Sequence, residues 1–329
     1  MAREAVMVAG GAGFIGSAVV RELLAQDETV VSFDNYLHGT PENLKDLSGR
    51  LEVVFGDALD EMSLNQCILK RNVRYIIDCI GDTFVPTAYL TPRRFLDINL
   101  YTTLNILRAA ALHKVSRILY VSSTEVYGRN DDDRLDEAAP LAPVNTYAVS
   151  KLAADRLCYT FSVEHAVPVV IARIFNCYGP RESQPYIIPD IIYQLYRSNT
   201  LFLGNVRAER DFTYVDDMAR ALIALLRAPI NPGEVVNVGS DTSYRIDWLA
   251  EKIATIMGKS GVELELDPKR LRRMDIDRFR CNNGKLTALT GWHPEISIDD
   301  GLSRTVNWFR DNGNRWSWNA FVDGTLIYR

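Results

Sequence analysis

The chain has 329 residues, 47% hydrophobic and 24% charged, which excludes disordered, collagen-like and coiled-coil chains. Its 37 Lys and Arg against 42 Asp and Glu leave a net charge of −5, which disfavours a dedicated nucleic-acid binder because phosphate contacts need a basic surface. No stretch approaches the roughly 18 to 20 apolar residues that cross a bilayer, and the N-terminus has no signal-peptide pattern, so a soluble cytoplasmic protein of about two domains is expected.

In chain order, 5–9 reads as a strand, 14–25 as a helix, and 29–33 and 51–55 as the next two strands. Further strands are predicted over 75–80, 117–121 and 167–174, with long helices over 100–113 and 148–165. Near-continuous apolar strands alternating with helices imply a parallel sheet covered on both faces. The expected fold is α/β, a Rossmann-type doubly wound parallel sheet. Beyond it Pro180, Pro185 and Pro189 break the regularity, followed by a helix over 189–197, a helix containing 222–226 and a strand over 235–238. The expected division is a first domain over 1–175, to which the chain returns around 212–240. A smaller C-terminal α/β substrate-binding domain takes 176–211 and 241–329. The aromatic tail over 315–321 has two open destinations, its own domain or a partner. Five scattered Cys and four His suggest neither a disulfide framework nor a metal site.

The first strand runs into Gly10, Gly13 and Gly16, spaced G-x-x-G-x-x-G. Glycines allow a tight turn and let backbone approach a pyrophosphate resting on a helix N-terminus. Such a turn can also be purely structural. Its place between strand and helix favours the phosphate reading. The next strand leads to Asp34, whose carboxylate can accept both adenosine ribose hydroxyls and would repel a 2′-phosphate, which favours NAD over NADP. The competing reading is an Asp that caps the following turn. Asp57, after the third strand, can similarly reach the adenine.

Tyr147 and Lys151 lie four apart on a predicted helix and so share a face. A nearby ammonium favours the phenolate and makes tyrosine a usable base. Alone, Y-x-x-x-K is usually a solvated face; here it follows a nucleotide-binding half. Upstream, the strand over 117–121 leads into Ser122, Ser123, Thr124 and Glu125, where open α/β sheets carry ligand-facing groups.

This constellation resembles the extended short-chain dehydrogenase/reductase family, specifically its NAD-dependent nucleotide-sugar epimerases and dehydratases. The resemblance spans about residues 5 to 310. It rests on 10–16, Asp34, Gly56 with Asp57, Asn99, 122–128, Tyr147 with Lys151, 173–180, 210–217 and 290–294. One departure is 79–82, Cys-Ile-Gly-Asp, where the family usually has an alanine-rich turn near the cofactor. The resemblance implies that NAD is held by Gly10, Gly13, Phe14, Ile15 and Gly16, by Asp34 and Asn35, and by Asp57 and Ala58. Asn99, Tyr147 and Lys151 complete that set. Tyr147 would take the proton of the sugar 4-hydroxyl while hydride passes from C4 to NAD+. Lys151 would bind the nicotinamide ribose and lower the tyrosine pKa, and Ser123 would hold the 4-oxygen.

The resulting 4-keto sugar can be epimerised at C4, can lose the C6 hydroxyl, or can lose a C6 carboxylate as carbon dioxide. Glu125 favours dehydration, which needs a base for the C5 proton and an acid for the leaving hydroxyl. A supporting or salt-bridging Glu125 is the plainer alternative. The Ser-Thr-Glu order is similar to GDP-mannose-type dehydratases and to UDP-glucuronate decarboxylases. It departs from dTDP-glucose dehydratases, which have Asp where this chain has Thr124. The expected activity is therefore 4,6-dehydration of an NDP-hexose. NDP-glucuronate decarboxylation, 4-epimerisation and a non-catalytic NAD sensor are the alternatives. Asn176, Arg210 and Arg272 would face the sugar nucleotide, arginine suiting phosphate through its planar fork. The resemblance also implies a homodimer joined by a four-helix bundle of 100–113 and 148–165 from each subunit.

Overall fold

Seven parallel strands form the main sheet, in the spatial order 235–238, 169–174, 117–123, 73–78, 5–9, 30–34 and 51–55. The computed structural model describes residues 4–130, 132, 134–271, 274–312, 318–322 and 325–328. The first six strands are β1 (Ala5–Ala9), β2 (Val30–Asp34), β3 (Leu51–Phe55), β4 (Val73–Asp78), β5 (Arg117–Ser123) and β6 (Val169–Ile174). Every residue of β1 and β2 is buried, as expected for strands covered on both faces. Fully burying a Val or Met there is worth about 1.5–3 kcal/mol.

The helices between these strands are α1 (Phe14–Ala25), α2 (Glu61–Lys70), α3 (Val85–Ala88), α4 (Pro92–Leu96), α5 (Thr102–His113) and α6 (Thr146–Glu164). From β3 the chain crosses to the far side of β1 to form β4, so the strand order reverses between β1 and β4. A crevice at such a reversal is where open α/β sheets bind ligands.

Two differences from the sequence expectation bear on the site. The fourth strand ends at Asp78 rather than at residue 80. After the bond from Cys79 N to Ala9 O the chain leaves the sheet. The predicted helix over 100–113 begins earlier, as a continuous bent run of α4, a π-helical turn over Asp97–Tyr101, and α5. Thr102 Oγ1 bonds back to the carbonyl of Ile98, and Thr103 Oγ1 to that of Asn99 at 3.2 Å. This back-bonding competes with the regular ladder and bends helices.

After β6 come β7 (Asn176–Tyr178), α7 (Ile187–Leu195), β8 (Thr200–Leu203), β9 (Glu209–Tyr214), α8 (Val215–Arg227) and β10 (Val235–Val238). Of these, β10 pairs with β6 in the main sheet, and α8 packs against α1. Then follow β11 (Ser243–Arg245), α9 (Ile246–Ile256), β12 (Glu263–Leu266), β13 (Arg278–Phe279), α10 (Gly284–Thr290) and α11 (Ile298–Asp311). Strand β9 pairs with β7, β11 and β13, while β8 pairs with β12. The chain ends in an antiparallel pair, β14 (Trp318–Val322) and β15 (Thr325–Tyr328); residues 315–317 of the aromatic tail lie outside the described residues. No helix among the described residues is long and apolar enough to cross a membrane.

Candidate active site and dinucleotide crevice

The glycine turn after β1 is shaped by close approaches of backbone to backbone. A Cβ on Gly16 would lie 2.0 Å from the carbonyl oxygen of Gly10, and Gly10 itself has φ +76°. Any larger residue at 16 would push the turn off the start of α1. That helix has no side-chain N-cap, with Gly13 in the cap position. Its first amides, including those of Phe14, Ile15 and Gly16, therefore face outward at the positive end of the helix dipole.

Asp34 ends β2 beside this turn. Its Oδ2 accepts from Ala12 N at 2.9 Å and its Oδ1 from Tyr36 N at 2.7 Å. The turn-capping role and the place beside the glycine turn thus coexist. Burial pushes the Asp34 carboxyl up, against the pull of the two backbone donors. Asn35 donates to Asp57 Oδ2 at 3.1 Å, and Asp57 Oδ1 accepts from Leu59 N, so Asp57 and Ala58 sit one strand further along the same edge. The cradle suits an adenosine diphosphate: anion-facing amides, then a carboxylate, then a polar turn.

Asn99 lies elsewhere than beside open space. It is fully buried on the π-helical turn. Its Nδ2 donates to Asp82 O and to Ser150 Oγ, both at 2.9 Å, and its Oδ1 accepts from Asp82 N at 2.7 Å. Both amide hydrogens are thereby committed within the protein. Its role in this geometry is to hold the loop after β4 against α6.

Strand β5 delivers Ser123, which caps a 3-10 turn over Thr124–Tyr127 by accepting from Glu125 N at 3.2 Å. Thr124 is buried, and its hydroxyl has no hydrogen-bond partner. Asn145 caps α6 by accepting from Ala148 N at 2.8 Å, and its Nδ2 donates to Glu125 Oε2 at 3.2 Å. Tyr147 stands in the first turn of α6, its ring edge-on to Phe95 at 6.4 Å. The Ser123 hydroxyl lies close enough to its phenol to pull the phenol pKa down. Ser123, Glu125 and Tyr147 therefore converge at the C-terminal end of the sheet.

Lys151 is buried one turn below. Its Nζ donates to Val121 O at 2.6 Å and lies 4.4 Å over the Tyr120 ring. Burial lowers its pKa to about 8, opposed chiefly by the negative charge of Asp78. Burial likewise raises Asp78 to about 6, opposed chiefly by Lys151. Burial drives the Tyr147 phenol upward, Ser123 pulls it down, and Glu125 and Asp82 push it further up. The ammonium is turned to the strand carbonyl, so its charge does little for the phenol.

On the other side of the crevice, Asn176 opens β7 opposite Phe212 of β9. Arg210 is buried and pairs with Asp275 at 3.2 Å, its guanidinium 5.5 Å over the Phe279 ring. Arg272 lies outside the described residues. Sequence reasoning missed His38, Asp78, Asp82, Asn145 and Tyr186. Asn145 carried a signal, an Asn three residues before a predicted helix start. Tyr186 bonds to Thr83 across 103 residues of chain, which no local pattern announces.

A family model described as the NAD dependent epimerase/dehydratase family matches residues 6–239. A human dTDP-D-glucose 4,6-dehydratase is 28% identical over 321 residues, covering 94% of this chain and 91% of the relative. A Bacillus cytotoxicus UDP-N-acetyl-alpha-D-glucosaminuronate decarboxylase is 30% identical over 325 residues, covering 95% and 99%. Among solved structures, a dTDP-glucose 4,6-dehydratase from Streptomyces venezuelae with NAD and TYD bound superposes with a TM-score of 0.89 at 29% identity. It covers 95% of this chain and 98% of that one.

Proposed function

The chain belongs to the NAD-dependent epimerase/dehydratase family, and from that premise we propose that its nucleotide-sugar reaction is the 4,6-dehydration of an NDP-hexose through a transient 4-keto sugar. The observation that carries this reading is the Glu125 carboxylate on the same short turn as Ser123, beside Tyr147. NAD, when bound, would accept the C4 hydride and return it to C6, so that the cofactor ends oxidised and the sugar has lost one water. The amides of Gly13 to Gly16 would hold its pyrophosphate, Asp34 and Asn35 its adenosine ribose, and Asp57 and Ala58 its adenine. Tyr147 and Lys151 would hold the nicotinamide ribose.

Tyr147, acting as the phenolate, takes the proton of the sugar 4-hydroxyl, and Ser123 Oγ holds the same oxygen. Once C4 is a ketone the C5 proton is acidic, and the Glu125 carboxylate removes it. The carboxyl group so formed gives that proton to the C6 hydroxyl as it leaves, because Thr124 offers no acid of useful strength, and C5 then regains a proton that reaches it from solvent through Glu125. Solvent isotope tests this. In deuterated water the protein should place deuterium at C5, and Glu125→Gln should not; full C5 labelling by the variant would reject Glu125 as the base.

Thr124 also favours a second reading, decarboxylation of an NDP-glucuronate. Departing carbon dioxide needs no acid, so a hydroxyl beside Glu125 suffices. In simple 4-epimerisation Glu125 would have no task.

The same reading assigns 176–211 and 241–329 to the sugar nucleotide, with Asn176 and Arg210 toward it. A homodimer is part of the proposal. Tyr101 and Leu112 are exposed along one side of the bent helix through α5, and Val149, Tyr159 and Val163 along α6. Apolar stripes on neighbouring helices suit a four-helix bundle with a second copy.

A further inference from the structure

We propose that His38, Asp82, Arg94 and Gln184 form a strap across the dinucleotide crevice that governs how slowly NAD leaves. The sheet order makes the crossing unavoidable. Strand β1, with its glycine turn, lies between β4 and β2. His38 follows β2 and Asp82 follows β4, and their side chains meet, Nε2 to Oδ1 at 3.4 Å. A dinucleotide resting on the glycine turn is therefore spanned by this link.

Each end of the strap is anchored. Asn99 bonds both the N–H and the carbonyl of Asp82, which sets where its carboxylate stands. From α4, Arg94 places Nε 2.8 Å from Asp82 Oδ2 and Nη2 3.1 Å from His38 Nε2. From the loop after β7, Gln184 Nε2 lies 3.1 Å from His38 Nδ1. Asp82 is fully buried, yet neither of its carboxylate oxygens is aligned for a hydrogen bond. The Arg94 guanidinium is the charge set against that carboxylate, so the link can open without unmaking a hydrogen-bonded ladder. Three separate loops thus converge over the cofactor path, and none of the four residues is used in the proton transfers. The strap is independent of which sugar reaction follows.

The test is the displacement of bound NADH by excess NAD+, followed by stopped-flow fluorescence. His38→Ala and Asp82→Ala should each speed release at least threefold. The double variant should be no faster than the faster single, because both cut one link. Arg93→Ala, a 91% exposed neighbour on α4, should release at the parent rate. A rise below threefold in either single, or multiplied effects in the double, would overturn the strap. Circular dichroism in saturating NAD+ checks folding. Should Asp82→Ala not fold, Asp82→Asn and Gln184→Ala are held to the same threshold.

Discussion

Arg173 grips Asp155 with both arms of its guanidinium, Nε to Oδ2 at 2.9 Å and Nη2 to Oδ1 at 3.2 Å. Both side chains are buried. The same aspartate accepts from Ser122 Oγ at 3.1 Å, and Arg173 reaches Tyr127 Oη at 3.2 Å, which in turn donates to Asn237 at 2.6 Å. Asp155 lies one helical turn beyond Lys151, and Ser122 directly precedes Ser123. One buried network therefore fixes α6 against the end of β5, and with it the spacing of Tyr147 from Ser123.

Breaking this pair leaves Asp155 with only the half-exposed Arg156 and the Ser122 hydroxyl as partners, a loss worth up to about 3–5 kcal/mol. Arg173→Ala should lower the unfolding midpoint in urea by a corresponding amount. Arg173→Lys should recover only part of it, since an ammonium lacks the planar fork. Loss of less than about 1 kcal/mol in the alanine variant would show that the network does not carry this load.

Tyr147→Phe removes the hydroxyl that takes the substrate proton while leaving the ring against Phe95. Loss of a general base typically costs 10²–10⁴-fold. Turnover should fall by at least about a hundredfold while NAD stays bound, measured as cofactor content after gel filtration. Near-parental turnover would remove Tyr147 from its role.

Lys151 links stability to pH with a definite sign. Its folded pKa of about 8 lies below its ordinary value of 10.5. Between these values the folded chain binds fewer protons than the unfolded chain, so this group makes stability rise with pH. The buried ammonium opposes folding below pH 8, and that opposition fades as pH climbs toward 10.5. From pH 8 to 10 the parent should gain about 2 kcal/mol over Lys151→Met. Parallel stability curves for the two proteins would contradict the shift.

The parallel sheet was readable because its strands are short apolar runs between helices, and the glycine turn because its spacing carries a mechanism. Asp34, Ser123, Glu125 and Tyr147 stood at ends of elements, where the sequence pattern points. What escaped are contacts made by distant loops. His38 and Gln184 are 146 positions apart, and only the fold reveals that the Asn99 amide bonds Asp82 and Ser150. The direction of the Lys151 ammonium was equally hidden. Four residues of helix place it on the face of Tyr147, but the carbonyl of Val121 on β5 decides where it points.

The central claim is the chemical outcome at the 4-keto sugar. Incubating the protein with NAD+ and a panel of NDP-hexoses and NDP-glucuronates, and weighing each intact product by mass spectrometry, tests it most directly. The account predicts a product lighter by one water from an NDP-hexose. A product lighter by carbon dioxide from an NDP-glucuronate, or one of unchanged mass and inverted C4, would contradict it.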